Sequence, residues 1–353
     1  MKILITGGCG FVGANLARYF HAQRHEVTVL DNLARRGSEF NVEDLTALGI
    51  RYVHGDVRNV EDLTPLGKYE VICETSAQPS AIDGYANPLF DLSNNTFGLI
   101  NVLEKARRDE SILFLWSTNK VYSGDRVNAI PVVEKETRWE WNSDSGYAAR
   151  GFSFDKGISE RFDVDGGQHS IYGLSKICAD LICQEWFDAF GVRTVVNRFS
   201  CLAGPGQFGK SAQGWVAWWL IAFHFGLPLT YIGWNGKQVR DMLFMPDIAR
   251  LIDLQIQNID QCAGKVFNIG GGPKLAMSLR EMTAWCEKRY GRQVPVTILD
   301  DPRKADHVVY LSDASSAKKY AGWEVQVGIE EGLKQIFEWV EKEHDRLARL
   351  YMK

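Results

Sequence analysis

The chain has 353 residues, enough for one large or two medium folded units with a proper core. A net charge of −4 argues against a nucleic-acid coat and leaves no polybasic patch for a membrane surface. The seven cysteines are scattered with no CxxC pair, which suits free thiols in a reducing compartment better than disulfides or a zinc site.

The first residues enter a strand-like run at once, so no signal peptide is expected. Residues 2–6 predict a buried strand, and Gly7, Gly8, Gly10 and Gly13 follow it. Phe11, Val12, Leu16 and Phe20 then recur at helical spacing. Further strands are predicted at 26–30, 51–54, 71–73 and 111–116, with a helix over 97–107. Strands alternating with helices imply a parallel sheet wound on both faces.

Residues 125–169 are polar and lack periodicity, which predicts a long functional loop or lid. A helix is expected over 173–190, then a strand at 194–197. An apolar helix follows at 215–225; the apolar stretch to Leu229 is too short to span a bilayer. Strands are expected at 229–232, 266–269 and 296–299, and helices over 242–258 and 329–350. Ser278 and Glu281 form a capping box for a helix running to Tyr290. The second half lacks strict alternation, which suggests a smaller unit built on the end of the first.

Five features carry chemistry. The glycines at 7, 10 and 13 join a strand to a helix, where backbone N–H groups can approach a pyrophosphate. Asp31 closes the next strand, placed to accept hydrogen bonds from both hydroxyls of an adenosine ribose. It would repel a 2′-phosphate, so NAD is expected rather than NADP, although Arg35 and Arg36 stand close by. Asp56, after the third strand, is placed to meet the adenine. Tyr172 and Lys176 are one helical turn apart, and an ammonium beside a phenol favours phenolate. Thr118 ends the fifth strand at the sheet edge where ligands bind, ready to hold a substrate hydroxyl.

With these motifs in this order, together with the runs at 198–205 and 238–241, the chain resembles the extended short-chain dehydrogenase/reductase family of nucleotide-sugar epimerases and dehydratases. The resemblance implies a Rossmann-type doubly wound α/β fold with a smaller, discontinuous α/β substrate domain. Residues 1–199 plus about 236–262 would hold NAD, and about 200–235 plus 263–353 the nucleotide sugar. Dehydratase members carry an acid pair after the threonine, whereas this chain has Asn119 and Lys120. Ser117 to Tyr122, Gly157 to Glu160, Gln207-Phe208 and Gln213 to Trp218 are similar instead to the CDP-paratose (CDP-tyvelose) 2-epimerase subgroup. Departures from that subgroup fall at Glu74 to Gln78, at Ile171 and Leu174, and at Ala203.

The resemblance implies a catalytic set of Thr118, Tyr172 and Lys176. It implies cofactor contacts from Gly7, Gly10, Phe11, Val12, Gly13, Asp31, Asn32, Asp56, Val57, Gln78, Asn95, Ser117, Tyr172 and Lys176. Substrate contacts would come from Gln78, Thr118, Asn119, Lys120, Gln207, Trp215, Tyr231, Arg240, Arg303 and Asp306, with the arginines on the diphosphate. No metal is expected. The implied activity is NAD-dependent epimerisation of a nucleotide-diphosphate sugar at C2. A 4-epimerase or other oxidoreductase of a UDP- or dTDP-sugar, and a non-catalytic NAD(H)-binding regulator, are the alternatives. A cytoplasmic homodimer or homotetramer is expected, with helices 97–107 and 173–190 at the interface.

Overall fold

A computed structural model describes residues 1–352. Seven parallel strands form the central sheet: β1 (Lys2–Thr6), β2 (Glu26–Asp31), β3 (Arg51–His54), β4 (Val71–Glu74), β5 (Ile112–Thr118), β6 (Arg193–Phe199) and β7 (Lys265–Ile269). Their order across the sheet is 3-2-1-4-5-6-7. Side chains alternate between the two faces. Ile3 and Ile5 of β1, with Phe114 of β5, join one core; Leu4, Leu113 and Leu115 join the core on the other face. Burial on both sides explains why these strands read as continuous apolar runs. The chain reverses direction across the sheet between β1 and β4, and ligands of such sheets bind outside the carboxyl ends there.

Helix α1 (Phe11–Ala22) leaves the glycine loop after β1, and α2 (Gly98–Asp109) leads into β5. A single π-helical turn at Ser93–Phe97 precedes α2. Helix α3 (Ile171–Phe190) is capped by Ser170, whose hydroxyl accepts from Gly173 N, and ends at Gly191 in the left-handed region.

Beyond the sheet lies a third core around helix α4 (Trp215–Phe225), with Met242, Phe244, Met282, Leu333 and Ile336. A four-stranded sheet of Cys201–Ala203, Val239–Phe244, Ala276–Ser278 and Val309–Tyr310 joins it to the site. Three of these strands are two or three residues long, too short for a period to show. The helix expected over 242–258 begins only at Met245, because the strand Val239–Phe244 runs up to it. The terminal helix also divides, into Ile329–Lys342 and His344–Tyr351. In the second piece Arg346 pairs with Asp44 and the Tyr351 hydroxyl donates to Gly209 O.

The stretch 125–169 is not a structureless lid. It holds a short helix, Gly124–Asn128, and two antiparallel hairpins, Val132–Glu134 with Trp139–Trp141 and Phe152–Ser153 with Gly157–Ile158. Trp141, Tyr147, Phe152 and Phe154 pack against Tyr122, Phe162 and Tyr310. These apolar contacts make the stretch a buttress behind the turn that follows β5. No described helix is long and apolar enough to cross a membrane.

Candidate active site

Two neighbouring cavities, of about 360 and 330 Å³, open along the carboxyl edge of the sheet and share Gly7, Gly10, Arg35, Thr75 and Ala77. The first is also lined by Asp31, Asn32, Asp56, Val57 and Gln78. The second adds Phe11, Val12, Gly13, Ser117, Thr118, Lys120, Tyr172, Lys176, Cys201, Gln207 and Trp215. A smaller third cavity, of about 170 Å³, is lined by Lys120, Cys201, Trp215, Arg240, Arg303 and Asp306. Lys120, Cys201 and Trp215 form the wall common to the second and third.

The glycine cradle fits a dinucleotide. Gly7 has φ of +63°, and a Cβ there would meet Ser76 Cα at 2.6 Å. A Cβ at Gly13 would collide with Gly7 O, so side chains at these positions would break the turn itself. Asp31 accepts from Cys9 N at 2.9 Å and Leu33 N at 2.8 Å, one bond to each oxygen. These bonds fix the carboxylate on the rim and leave lone pairs for two ribose hydroxyls. Arg35 donates to the Gln213 side chain and Arg36 to Arg349 O, so both guanidinium groups have partners away from Asp31. Asp56 is held by Arg58 at 2.6 Å and by Asn32 at 2.8 Å, which pulls its carboxyl down to about 2.

Tyr172 and Lys176 both reach the second cavity, with Thr118 opposite them at the end of β5. The expected fall in the tyrosine pKa is absent. Burial pushes the Tyr172 phenol up to about 12, and hydrogen bonding with Thr118 offsets this only in part. Lys176 does not supply the compensating charge, because its ammonium donates to Trp116 O at 3.0 Å and burial draws it down to about 8. Near neutral pH the phenol therefore stays protonated while the amine is still mostly an ammonium.

Several expected contacts are rearranged. Gln78 donates to Asp91 at 2.6 Å and to Ser80 O at 2.8 Å, and it lines the first cavity rather than the one holding Tyr172. Asn95 is buried behind it, bonded to Gln78 and Ser175, while Asn94 takes the cavity wall. Asn119 turns inward and accepts from the Thr118 hydroxyl, lining neither cavity. Tyr231 is also misassigned: strand alternation sends Thr230 and Ile232 to the third cavity and Tyr231 into the core. There its ring stacks on Trp219 and its hydroxyl donates to Thr283 at 2.8 Å.

Asp306 binds Lys120 at 2.6 Å and Arg240 at 2.8 Å, and these cations hold its carboxyl far below the usual range despite burial. Arg303 has no such partner. It donates to Ser211 O at 2.6 Å, and its Nε lies buried without an acceptor.

Sequence reading missed an ordered network behind the site. Asp180, one turn beyond Lys176, pairs with Arg198 at 2.7 Å; Arg198 reaches the Tyr122 hydroxyl at 3.0 Å. Spacing on α3 could have flagged Asp180, but only the fold brings Arg198 and Tyr122 to it.

The NAD dependent epimerase/dehydratase family model matches residues 3–270. A CDP-paratose 2-epimerase of Salmonella typhi is 34% identical, over 96% of this chain and 99% of that protein. A UDP-glucuronic acid decarboxylase of Xenopus tropicalis is 27% identical, over 98% of this chain and 74% of that protein. The UDP-glucose 4-epimerase of Thermus thermophilus, solved in complex with NAD, superposes with a TM-score of 0.77 at 23% identity, covering 97% of this chain and 99% of that one.

Proposed function

The chain belongs to the NAD dependent epimerase/dehydratase family and is an NAD-dependent enzyme, and from that premise we propose that it inverts C2 of a CDP-hexose through a transient keto sugar. One observation carries the choice of epimerisation: none of the residues lining the cavity around Tyr172 and Thr118 is an aspartate or glutamate. Loss of water needs a second acid–base group beside the tyrosine. Here the position nearest that task holds Lys120, tied to Asp306. The 34% identical CDP-paratose 2-epimerase supports the choice of C2 and of a cytidine nucleotide.

The glycine cradle, Asp31, Ser117 and Lys176 would hold NAD, which when bound supplies a hydride acceptor and returns the hydride. Tyr172 Oη takes the proton of the reacting hydroxyl as the carbon is oxidised, and gives it back when the carbon is reduced from the other face. Thr118 holds that hydroxyl against the phenol. Lys176, as an ammonium, favours the phenolate that the first step needs. Arg240 and Arg303 face the diphosphate, because guanidinium stays charged and matches phosphate oxygens. In this reading residues 1–199 with about 236–262 carry the cofactor, and the remainder carries the sugar nucleotide.

Incubation with CDP-, UDP- and dTDP-hexoses in deuterated water, followed by NMR, tests the proposal. Inversion at C2 of a CDP-hexose is expected, with the migrating hydrogen kept. Inversion confined to C4, or release of water, would sink it.

A homodimer belongs to the same reading. Phe97 beside α2, and Leu181 and Phe190 on α3, remain exposed although large and apolar. Light scattering should give about twice the chain mass of 39.8 kDa; a species at the single-chain mass would refute pairing.

A further inference from the structure

Glu74 ends β4, near the middle of the sheet, and is 2% exposed. A carboxylate at such a place is costly unless other groups hold it. Two hydroxyls do so: Thr6 Oγ1 from β1 and Ser76 Oγ both donate to its oxygens. Among the described residues it makes no direct ion pair. The cation that acts on it is Lys176, which lies against the end of the neighbouring strand β5.

The other groups facing Lys176 are weak rivals. Cys183, on the same helix, is buried and kept as a thiol. Burial pushes both Asp91 and Glu74 upwards, but Asp91 also faces Asp83 and keeps one oxygen without a partner, whereas a hydroxyl donates to each oxygen of Glu74. Asp180 is spent on Arg198. Tyr172 is protonated. Glu74 pairs across the sheet with Leu115, the residue before the Trp116 carbonyl that holds Lys176, and is therefore the carboxylate placed to act on that amine.

We propose that Glu74 is a positioning residue, the buried counter-charge that keeps Lys176 an ammonium and so sets the alkaline limit of proton transfer at Tyr172. The catalytic half of this statement rests on the epimerase reading, whereas the charge coupling does not. The sign follows from the two opposing effects. Burial draws Lys176 down to about 8, and an ionised Glu74 holds it up. Removing that charge lets the ammonium lose its proton at lower pH, and turnover falls with it.

Glu74→Gln keeps the side-chain volume and an acceptor oxygen and removes only the charge. Trace acetylation with acetic anhydride between about pH 6 and 10, read at the Lys176 peptide by mass spectrometry, gives the titration of that amine without any sugar. The midpoint should drop by about one pH unit or more, a tenfold change in proton affinity. The alkaline limb of kcat should move the same way. Ser76→Ala, which strips one hydroxyl from the carboxylate, should produce a smaller shift in the same direction; it carries the test if Glu74→Gln does not fold. A Lys176 midpoint unchanged or raised in the variants would overturn the proposal. Failure of the wild-type protein to act on any nucleotide sugar would defeat the functional reading instead, and the acetylation titration would still decide the coupling.

Discussion

The cluster around Lys176 and the cluster around Asp306 are both buried and both charged, yet burial acts on them in opposite ways. At Lys176 no partner is close enough to neutralise the charge, so desolvation wins: the amine falls to about 8 and the Tyr172 phenol rises to about 12. At Asp306 two cations lie within 2.8 Å, so pairing wins and the carboxylate stays ionised. The first arrangement keeps the phenol protonated and brings the titration of the amine close to neutral pH. The second locks its charges and presents arginine to an anion. Under the proposed function, proton transfer and anion binding would thus be separated along one wall, with Lys120 and Cys201 shared between the cavities.

The separation can be broken from either side. The largest effect is expected for Tyr172→Phe, which removes the proton carrier and little else. Its kcat should fall by roughly 10³-fold or more, with cofactor affinity unchanged when measured by fluorescence titration. A variant that keeps its rate would remove Tyr172 from the mechanism. Arg240→Ala should act on the other side. KM for the nucleotide sugar should rise by about tenfold or more, while kcat at saturation falls far less. The same change leaves Asp306 with Lys120 alone and should cost about 3 kcal/mol of stability, read by urea unfolding. A loss of kcat with KM preserved would show that the two clusters are not separate in function.

Both clusters were partly legible in the sequence, but to different depths. Tyr172 and Lys176 lie on one helix, so their proximity follows from a period of 3.6 residues and needs no tertiary information. The glycine loop and Asp31 are local to their strand ends in the same way. Lys120 follows β5, Arg240 lies in the strand Val239–Phe244 and Asp306 stands before Val309–Tyr310, and only the tertiary fold brings the three together. The family resemblance implied a diphosphate contact at Arg240, but the ion pairs among the three were invisible. Tyr231 shows the same limit in reverse: a residue in a short strand faces one side or the other, and no signal within four residues says which. The 125–169 stretch failed as a lid because its hairpins are too short for alternation to show, while its aromatic residues bury against Tyr122 and Tyr310.

The sequence by itself determined the wound sheet, the cradle after the first strand and the proximity of Tyr172 to Lys176. Each depends on neighbours within a turn, a strand or a helix, where backbone geometry is enough. Only the tertiary structure decided the charge states. Those depend on how much water reaches a group and which charges lie across the sheet, as Glu74 and Lys176 show. Burial and through-space distance are properties of the folded chain, and no spacing along the sequence encodes them.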